Sequence, residues 1–245
     1  VQTVTRLADS YRAASEDRAV FWETSGGVVL VVADGVGGQP GGQAAAEAAV
    51  NGLRDLYTEA PYAEWHTLLA TLDSHIADIE GAGYTTLVVA EVTEGRIIGA
   101  SVGDSEAWFV TAGGHFDLTH AQRRKPYLGS SGAVPIPFAL DIPPEGGTLL
   151  LATDGLFKYV DTDRIEAAAL LSDREEAART LASLARRGNG TLPDDIAILL
   201  LPLEKGNVSK NITQRLRGAL SSLLNSRPPF VARTSDRLSS QEDLA

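Results

Sequence analysis

Carboxylates stand at the ends of five apolar runs in this chain. Asp34 follows VVLVVA and Asp154 follows TLLLAT, each with a glycine directly after it, Gly35 and Gly155. Asp104 sits in ASVGDSEAW, between two apolar runs. Asp194 and Asp195 precede IAILLL, and Glu16 and Asp17 precede RAVFW. Apolar runs of this length, rich in Val, Leu and Ile, read as buried strands. Acids gathered at the mouth of a sheet repel one another unless positive charge sits among them. The chain has no Cys, and its four His (66, 75, 115 and 120) lack metal-ligand spacing. Oxygen donors alone suit a hard divalent cation, so Mg²⁺ or Mn²⁺ is the expected occupant. A Gly after the acid lets the backbone turn sharply and leaves its carbonyl unobstructed. An isolated Asp-Gly pair is an ordinary turn; two of them closing strongly apolar strands, beside three further acidic strand ends, favour a metal cluster.

Other phosphate chemistries fit poorly. Gly37 to Gly42 has the first spacing of a P-loop, but Gln43 stands where Lys is needed and Ala44 where a hydroxyl is needed. A dinucleotide fingerprint started at Gly35 meets Pro40 where its third Gly belongs. Without Cys there is no thiol nucleophile, disulfide or zinc–thiolate site. Ser105, Ser130 and Ser131 lack a motif-linked His for a nucleophilic triad.

The elements that must carry these acids follow from periodicity. Strands are expected at about 18–23, 27–33, 85–92, 96–102, 105–111, 148–153 and 196–202, with a hairpin turn at Glu94–Gly95. Residues 28–32 and 198–201 do not alternate, so both of their faces should be covered. GGQAAAEAAVNGLRDLYTE is a strong helix former. AEWHTLLATLDSHIADIE places Trp65, Leu68, Leu69, Leu72 and Ile76 on one helical stripe. Shorter helices are expected at about 162–171 and 175–187, and residues 112–147 read as loop. Two adjacent helices between groups of hairpin-connected strands predict antiparallel sheets with helices packed outside them.

Six segments in this order, RAASEDR, VVADGVGG, GYTTLVVAEV, ASVGDSEAW, LLATDGL and PDDIAILLL, resemble motifs of the metal-dependent Ser/Thr protein phosphatases of the PP2C (PPM) family, bacterial type. The resemblance covers about residues 10–203. It implies an α+β fold in which two antiparallel sheets form a sandwich flanked by helix pairs, a four-layer αββα arrangement. It implies hydrolysis of phosphoserine and phosphothreonine in proteins by a metal-activated water. By the same resemblance Asp34 bridges two Mn²⁺ or Mg²⁺ ions, with the Gly35 carbonyl on one of them. Asp154 and Asp194 complete the other shell, Glu16 and Asp17 act through metal-bound waters, and Asp104 with Asp154 serves a third, weaker ion. Arg12, four residues before Glu16, corresponds to the family's phosphate-binding Arg, whose planar fork suits a phosphoryl group.

Two departures accompany the match. Some relatives carry His directly after the first Asp-Gly, where this chain has Val36; His115 and His120 are the alternatives for a proton donor, with an ordinary solvated loop His as the plainer reading. Residues 112–147 are short for the family's flap segment. Within them QRRKPYLGSS offers Arg123, Arg124 and Lys125 either as a grip on a phosphosubstrate or, more plainly, as a solvated charge run. The competing functions are a non-catalytic phosphatase-like scaffold and a phosphoesterase for small molecules.

Charge and composition bound the rest. Formal net charge is -11, which disfavours nucleic acid and anionic membranes as partners. No apolar run spans a membrane and no signal segment opens the chain, so a cytoplasmic protein is expected; the resemblance implies phosphoprotein substrates, opposing a Ser/Thr kinase. The chain starts at Val1 and lacks Met, so it is expected to have been trimmed. Residues 1–203 form the expected phosphatase domain. Residues 204–245 hold seven Lys and Arg against four acids. They read as a basic extension with one amphipathic helix (Ile212, Leu216, Ala219, Leu220, Leu223) and a polar tail. That helix is expected either to dock on the flanking helices or to act near the acidic mouth.

Overall fold

The computed structural model describes residues 4–11, 15–37 and 41–203. The readings made for Arg12 and for the 204–245 extension lie outside the described residues. Among the described residues ten strands form two five-stranded antiparallel sheets. One sheet has the order β1 (Thr5–Asp9), β10 (Ile196–Leu203), β9 (Gly147–Ala152), β6 (Glu106–Thr111), β7 (Gly114–Asp117). The other has the order β2 (Asp17–Glu23), β3 (Val28–Asp34), β4 (Leu87–Thr93), β5 (Arg96–Val102), β8 (Ile136–Asp141). Helices α1 (Gly42–Glu59) and α2 (Trp65–Ala77) cover the second sheet. Helices α3 (Asp154–Phe157), α4 (Thr162–Ala169) and α5 (Arg174–Ala185) cover the first. The result is the expected αββα sandwich.

The unbroken apolar runs are explained by three stacked cores. In β3, Leu30 and Val32 point between the sheets, where they meet Leu149, Leu151, Leu199 and Leu201. Val29, Val31 and Ala33 point the other way, onto Ala45, Ala49, Leu53, Leu69 and Leu72 of α1 and α2. β10 divides likewise: Ala197, Leu199 and Leu201 face inward, while Ile198 and Leu200 meet Ala178 and Leu181 of α5. Period two still holds, but both faces are dry, so no polar residue marks it. Each fully buried Leu or Val contributes roughly 1.5–3 kcal/mol of transfer free energy. The Ala-rich faces of α1 and α5 allow these helices to lie close on their sheets.

The segment 112–147 is more ordered than its composition suggests. It contains β7 and β8, and β8 pairs with β5 from Arg96↔Asp141 to Ser101↔Ile136. With β1, these are three strands that the sequence does not announce, and the short helix α3 is a fourth such element. All three strands are edge strands. β8 alternates between half-buried and exposed along its length, and it carries Pro137, which an edge strand tolerates.

Asp73 departs from the apolar stripe of α2 and is buried. Its Oδ1 accepts from the backbone N–H of Gly129 (2.7 Å), Ser130 (3.1 Å) and Ser131 (3.3 Å). Its Oδ2 accepts from Ala133 N–H (2.9 Å). Four amide donors on one carboxylate pin the 129–133 loop to the helix. Asp73→Ala is expected to cost about 2–4 kcal/mol, because hydrogen bonds to a charged group are strong and the amides lose their acceptor. Thermal melting should fall by several degrees, with Asp73→Asn intermediate; an unchanged melting temperature would make the clamp incidental.

Candidate metal centre

The sandwich brings the acidic strand ends to one rim. Asp17 opens β2 and Asp34 closes β3, and the antiparallel register sets them directly opposite each other. The hairpin register therefore pairs two carboxylates that the sequence separates by seventeen positions. Asp34 N–H donates to Thr86 Oγ1 (3.0 Å), and Asp34 O accepts from Thr85 Oγ1 (2.8 Å) and Thr86 N–H (2.9 Å). Asp154 is the first residue of α3, reached from β9 through Thr153. Thr153 bridges to β10, its Oγ1 accepting from Ala197 N–H at 2.9 Å. Asp194 lies just before β10, and Asp104 in the turn between β5 and β6.

An open cavity of about 360 Å³ gathers Glu16, Asp17, Asp34, Asp104, Asp154, Asp194 and Asp195. Every described acid expected at the site is there, and so is Gly35. Asp195 joins them but is committed elsewhere. Its Oδ1 accepts from Tyr11 N–H (2.7 Å) and Ser10 Oγ (3.3 Å), and its Oδ2 from Glu16 N–H (2.8 Å). It thereby ties the β1–β2 connection, which bears Glu16, to the start of β10. Asp194 and Asp195 are adjacent in sequence, yet only the structure separates their tasks.

Electrostatics marks the cavity as a place for cations. Burial, first, and the neighbouring Asp17, Asp154 and Asp194 charges push the Asp34 carboxyl up to about 10. Burial raises Asp17 to about 7, opposed by a Thr153 hydrogen bond and helped by Asp195. Asp154 is raised too, by burial and then by Asp104 and Asp194. Asp17 is 3% exposed, and its Oδ2 is buried with no hydrogen-bond partner. Among the described residues no group of three or more His, Asp or Glu side chains stands close enough together to hold a metal ion as placed; the acids line one open cavity instead. An oxygen-only donor set, an orphaned buried carboxylate oxygen and mutual repulsion among acids all fit divalent cations. Asp34, the Gly35 carbonyl, Asp154 and Asp194 could hold them.

Both glycines are required by close approach rather than by their backbone angles. A Cβ on Gly155 would run into the Asp195 carbonyl, and one on Gly35 into the Gly42 carbonyl. Gly155→Ala is therefore expected to destabilise the protein by about 1–3 kcal/mol. It should also displace Asp154 from Asp194 and remove most metal-dependent activity. Melting and turnover together test this; normal turnover at a lowered melting temperature would detach Gly155 from the site.

Three cavity residues were missed or read otherwise. Thr86 and Tyr127 line it; a lone Thr or Tyr carries no sequence signal. Arg124, in the run read more plainly as solvated, also lines it and pairs through Nε with Asp104 Oδ2 at 2.7 Å. Neither candidate His is there. His115 Nδ1 lies 2.7 Å from Glu166 Oε1 and its ring stacks on Trp108 at 3.9 Å. His120 Nδ1 lies 2.9 Å from the Asp117 carbonyl. Val36, directly after Gly35, lines the cavity.

Residues 24–204 match the family model for stage II sporulation protein E (SpoIIE). No curated protein matches the chain. Among solved structures, a bacterial serine phosphatase is similar with a TM-score of 0.72 at 20% identity, over 85% of this chain and 100% of that one. The serine/threonine phosphatase Stp1 from Staphylococcus aureus gives 0.71 at 18%, over 83% and 96%. The catalytic domain of the serine threonine protein phosphatase PstP, in complex with two manganese ions, gives 0.66 at 22%, over 83% and 98%. At these identities the likeness to the solved structures is one of fold.

Proposed function

The chain belongs to the SpoIIE family of PPM-type phosphatases, and from that premise we propose that its acidic cavity hydrolyses phosphoserine and phosphothreonine in protein substrates with bound divalent cations. The observation that carries this reading is the convergence of seven carboxylates from five separate strand ends on one cavity. In the proposed centre Asp34, the Gly35 carbonyl, Asp154 and Asp194 would hold two Mn²⁺ or Mg²⁺ ions, and Asp104 with Asp154 would offer a third, weaker position. When bound, such ions supply Lewis acidity, lowering the pKa of water and neutralising charge on phosphoryl oxygens.

The chain's own residues do the rest. Asp17, held by the β2–β3 register, and Glu16, held through its amide by Asp195, orient water at the rim of the cavity. Raised carboxyl pKa values mean that protons and cations compete for the same oxygens. Arg12 is proposed as a phosphoryl contact on the strength of its spacing from Glu16. The substrates are proposed to be made by a Ser/Thr kinase, and the setting to be cytoplasmic signalling. No helix among the described residues is long and apolar enough to cross a membrane.

The deciding experiment compares hydrolysis of p-nitrophenyl phosphate, a phosphothreonine peptide and a nucleotide, each with Mn²⁺ and with chelator. The proposal requires Mn²⁺-dependent turnover of the first two and a preference for the peptide over the nucleotide. Turnover of the nucleotide alone would mark a small-molecule phosphoesterase. No turnover of any ester, with Mn²⁺ bound, would mark a scaffold.

A further inference from the structure

The cavity has a single cationic lining residue among those described, and it arrives from an unexpected direction. Arg124 belongs to the connection between β7 and β8, and Asp104, twenty positions earlier, is the nearest in sequence of the acids that line the cavity. Its segment is nonetheless fastened on both sides. Gln122 Nε2 donates to Ser105 O (3.0 Å), and Gly103 N–H donates to Arg123 O (3.3 Å). Leu128 is fully buried and exchanges two backbone hydrogen bonds with Thr85, at 3.0 and 3.1 Å. The Asp73 clamp fixes 129–133 immediately beyond. Thr85 adjoins Asp34 through its hydroxyl. The same scaffold that sets Asp34 therefore sets the arm that carries Arg124.

The side chain on this arm is placed for use. Arg124 is 67% exposed at its side chain, whereas its partner Asp104 is 23% exposed. Nε faces Asp104 Oδ2, and Tyr127 lines the same cavity. A guanidinium has five N–H donors in a planar fork. It can keep Nε on Asp104 and still turn a two-donor edge toward an anion. A surface ion pair of this kind contributes little to stability.

We propose that Arg124 is a phosphoryl-reading residue of the cavity, with Asp104 as the positioning residue that aims its guanidinium. The proposal rests on the phosphatase reading above. A phosphomonoester brings up to two negative charges to a mouth lined by seven carboxylates, and a fixed guanidinium at the rim gives it a bidentate landing. It also gives Asp104 a second claimant, because an ion at Asp104 would share its carboxylate with Arg124.

The test uses the full chain loaded with Mn²⁺. Arg124→Ala should raise KM for both p-nitrophenyl phosphate and a phosphothreonine peptide about tenfold or more, with kcat within a few-fold of the parent. Inorganic phosphate, titrated calorimetrically, should bind more weakly by a similar factor, while Mn²⁺ affinity of the two-ion centre away from Asp104 holds. Arg124→Lys should recover only part of both, because an ammonium keeps the charge but loses the fork. Unchanged KM and phosphate affinity would overturn the proposal. So would a change confined to Mn²⁺ affinity, which would make Arg124 a mere counter-ion, or one confined to the peptide. If the parent hydrolyses no ester, the phosphatase reading fails instead, and phosphate calorimetry still decides whether Arg124 reads the anion.

Discussion

Asp34→Asn is expected to lower Mn²⁺-dependent hydrolysis by about 10³-fold or more while raising the melting temperature of the metal-free protein. Both effects have one cause. Asp34 lies at the end of β3, opposite Asp17, with its carboxyl held far above the ordinary range by burial and by three acidic neighbours. Without cations the fold must keep a proton there, and an amide removes that demand. The Asn side chain can donate to Asp17 as the protonated Asp34 does, but without having to take up a proton. For a domain of this size each kcal/mol gained reads as about 2–4 °C. With Mn²⁺ present the order should reverse, because the parent gains binding energy that the variant lacks. Calorimetric melting in chelator and in Mn²⁺, beside turnover, measures both halves. Near-parent activity at saturating Mn²⁺ would remove Asp34 from the centre.

The second large effect is on pH dependence without metal. Both Asp17 and Asp34 have folded pKa values raised above the ordinary 3.8, to about 7 and about 10. Below about pH 4 the two groups are protonated in folded and unfolded chains alike, and their contribution to stability is fully present. As pH rises the unfolded chain releases these protons first, so the folded state holds more of them and stability falls. The loss from Asp17 is complete above about pH 7, and that from Asp34 continues toward about pH 10. In chelator the melting temperature should therefore fall from pH 5 to pH 9, and the slope should be shallower in Asp34→Asn. The stabilisation conferred by Mn²⁺ should grow over the same range, since the cation needs ionised ligands. Equal slopes in parent and variant would separate the repulsion from stability.

Much of this was legible because burial writes itself locally. β3 and β10 are unbroken apolar runs, since each has one face between the sheets and one under helices. The stripe Trp65, Leu68, Leu69, Leu72, Ile76 forecast the buried face of α2. β1, β7 and β8 escaped because an edge strand is half solvated and needs no such run; its residues are chosen as much by what they leave unpaired as by what they bury. The site was legible for a related reason. An Asp directly after VVLVVA or TLLLAT has no place in a core, so its position alone calls for a charge partner.

The sequence by itself determined that carboxylates would close the central strands, that glycines would follow two of them, and that no thiol would take part. Only the tertiary structure decided which acids meet, and what each does there. The β2–β3 register, not spacing, sets Asp17 against Asp34. Asp195 holds Tyr11 N–H across 184 positions, leaving its neighbour Asp194 at the cavity. Asp73, on the apolar-striped helix α2, pins the loop that follows Arg124, the one residue of its charge run that reaches the cavity. His115 is drawn away by Trp108 and Glu166. The physical reason is range. Periodicity and strand-end chemistry act over a few residues and can be read along the chain. The partner of a carboxylate is fixed by backbone pairings that close loops of tens to hundreds of residues, and those pairings exist only once the sandwich has formed.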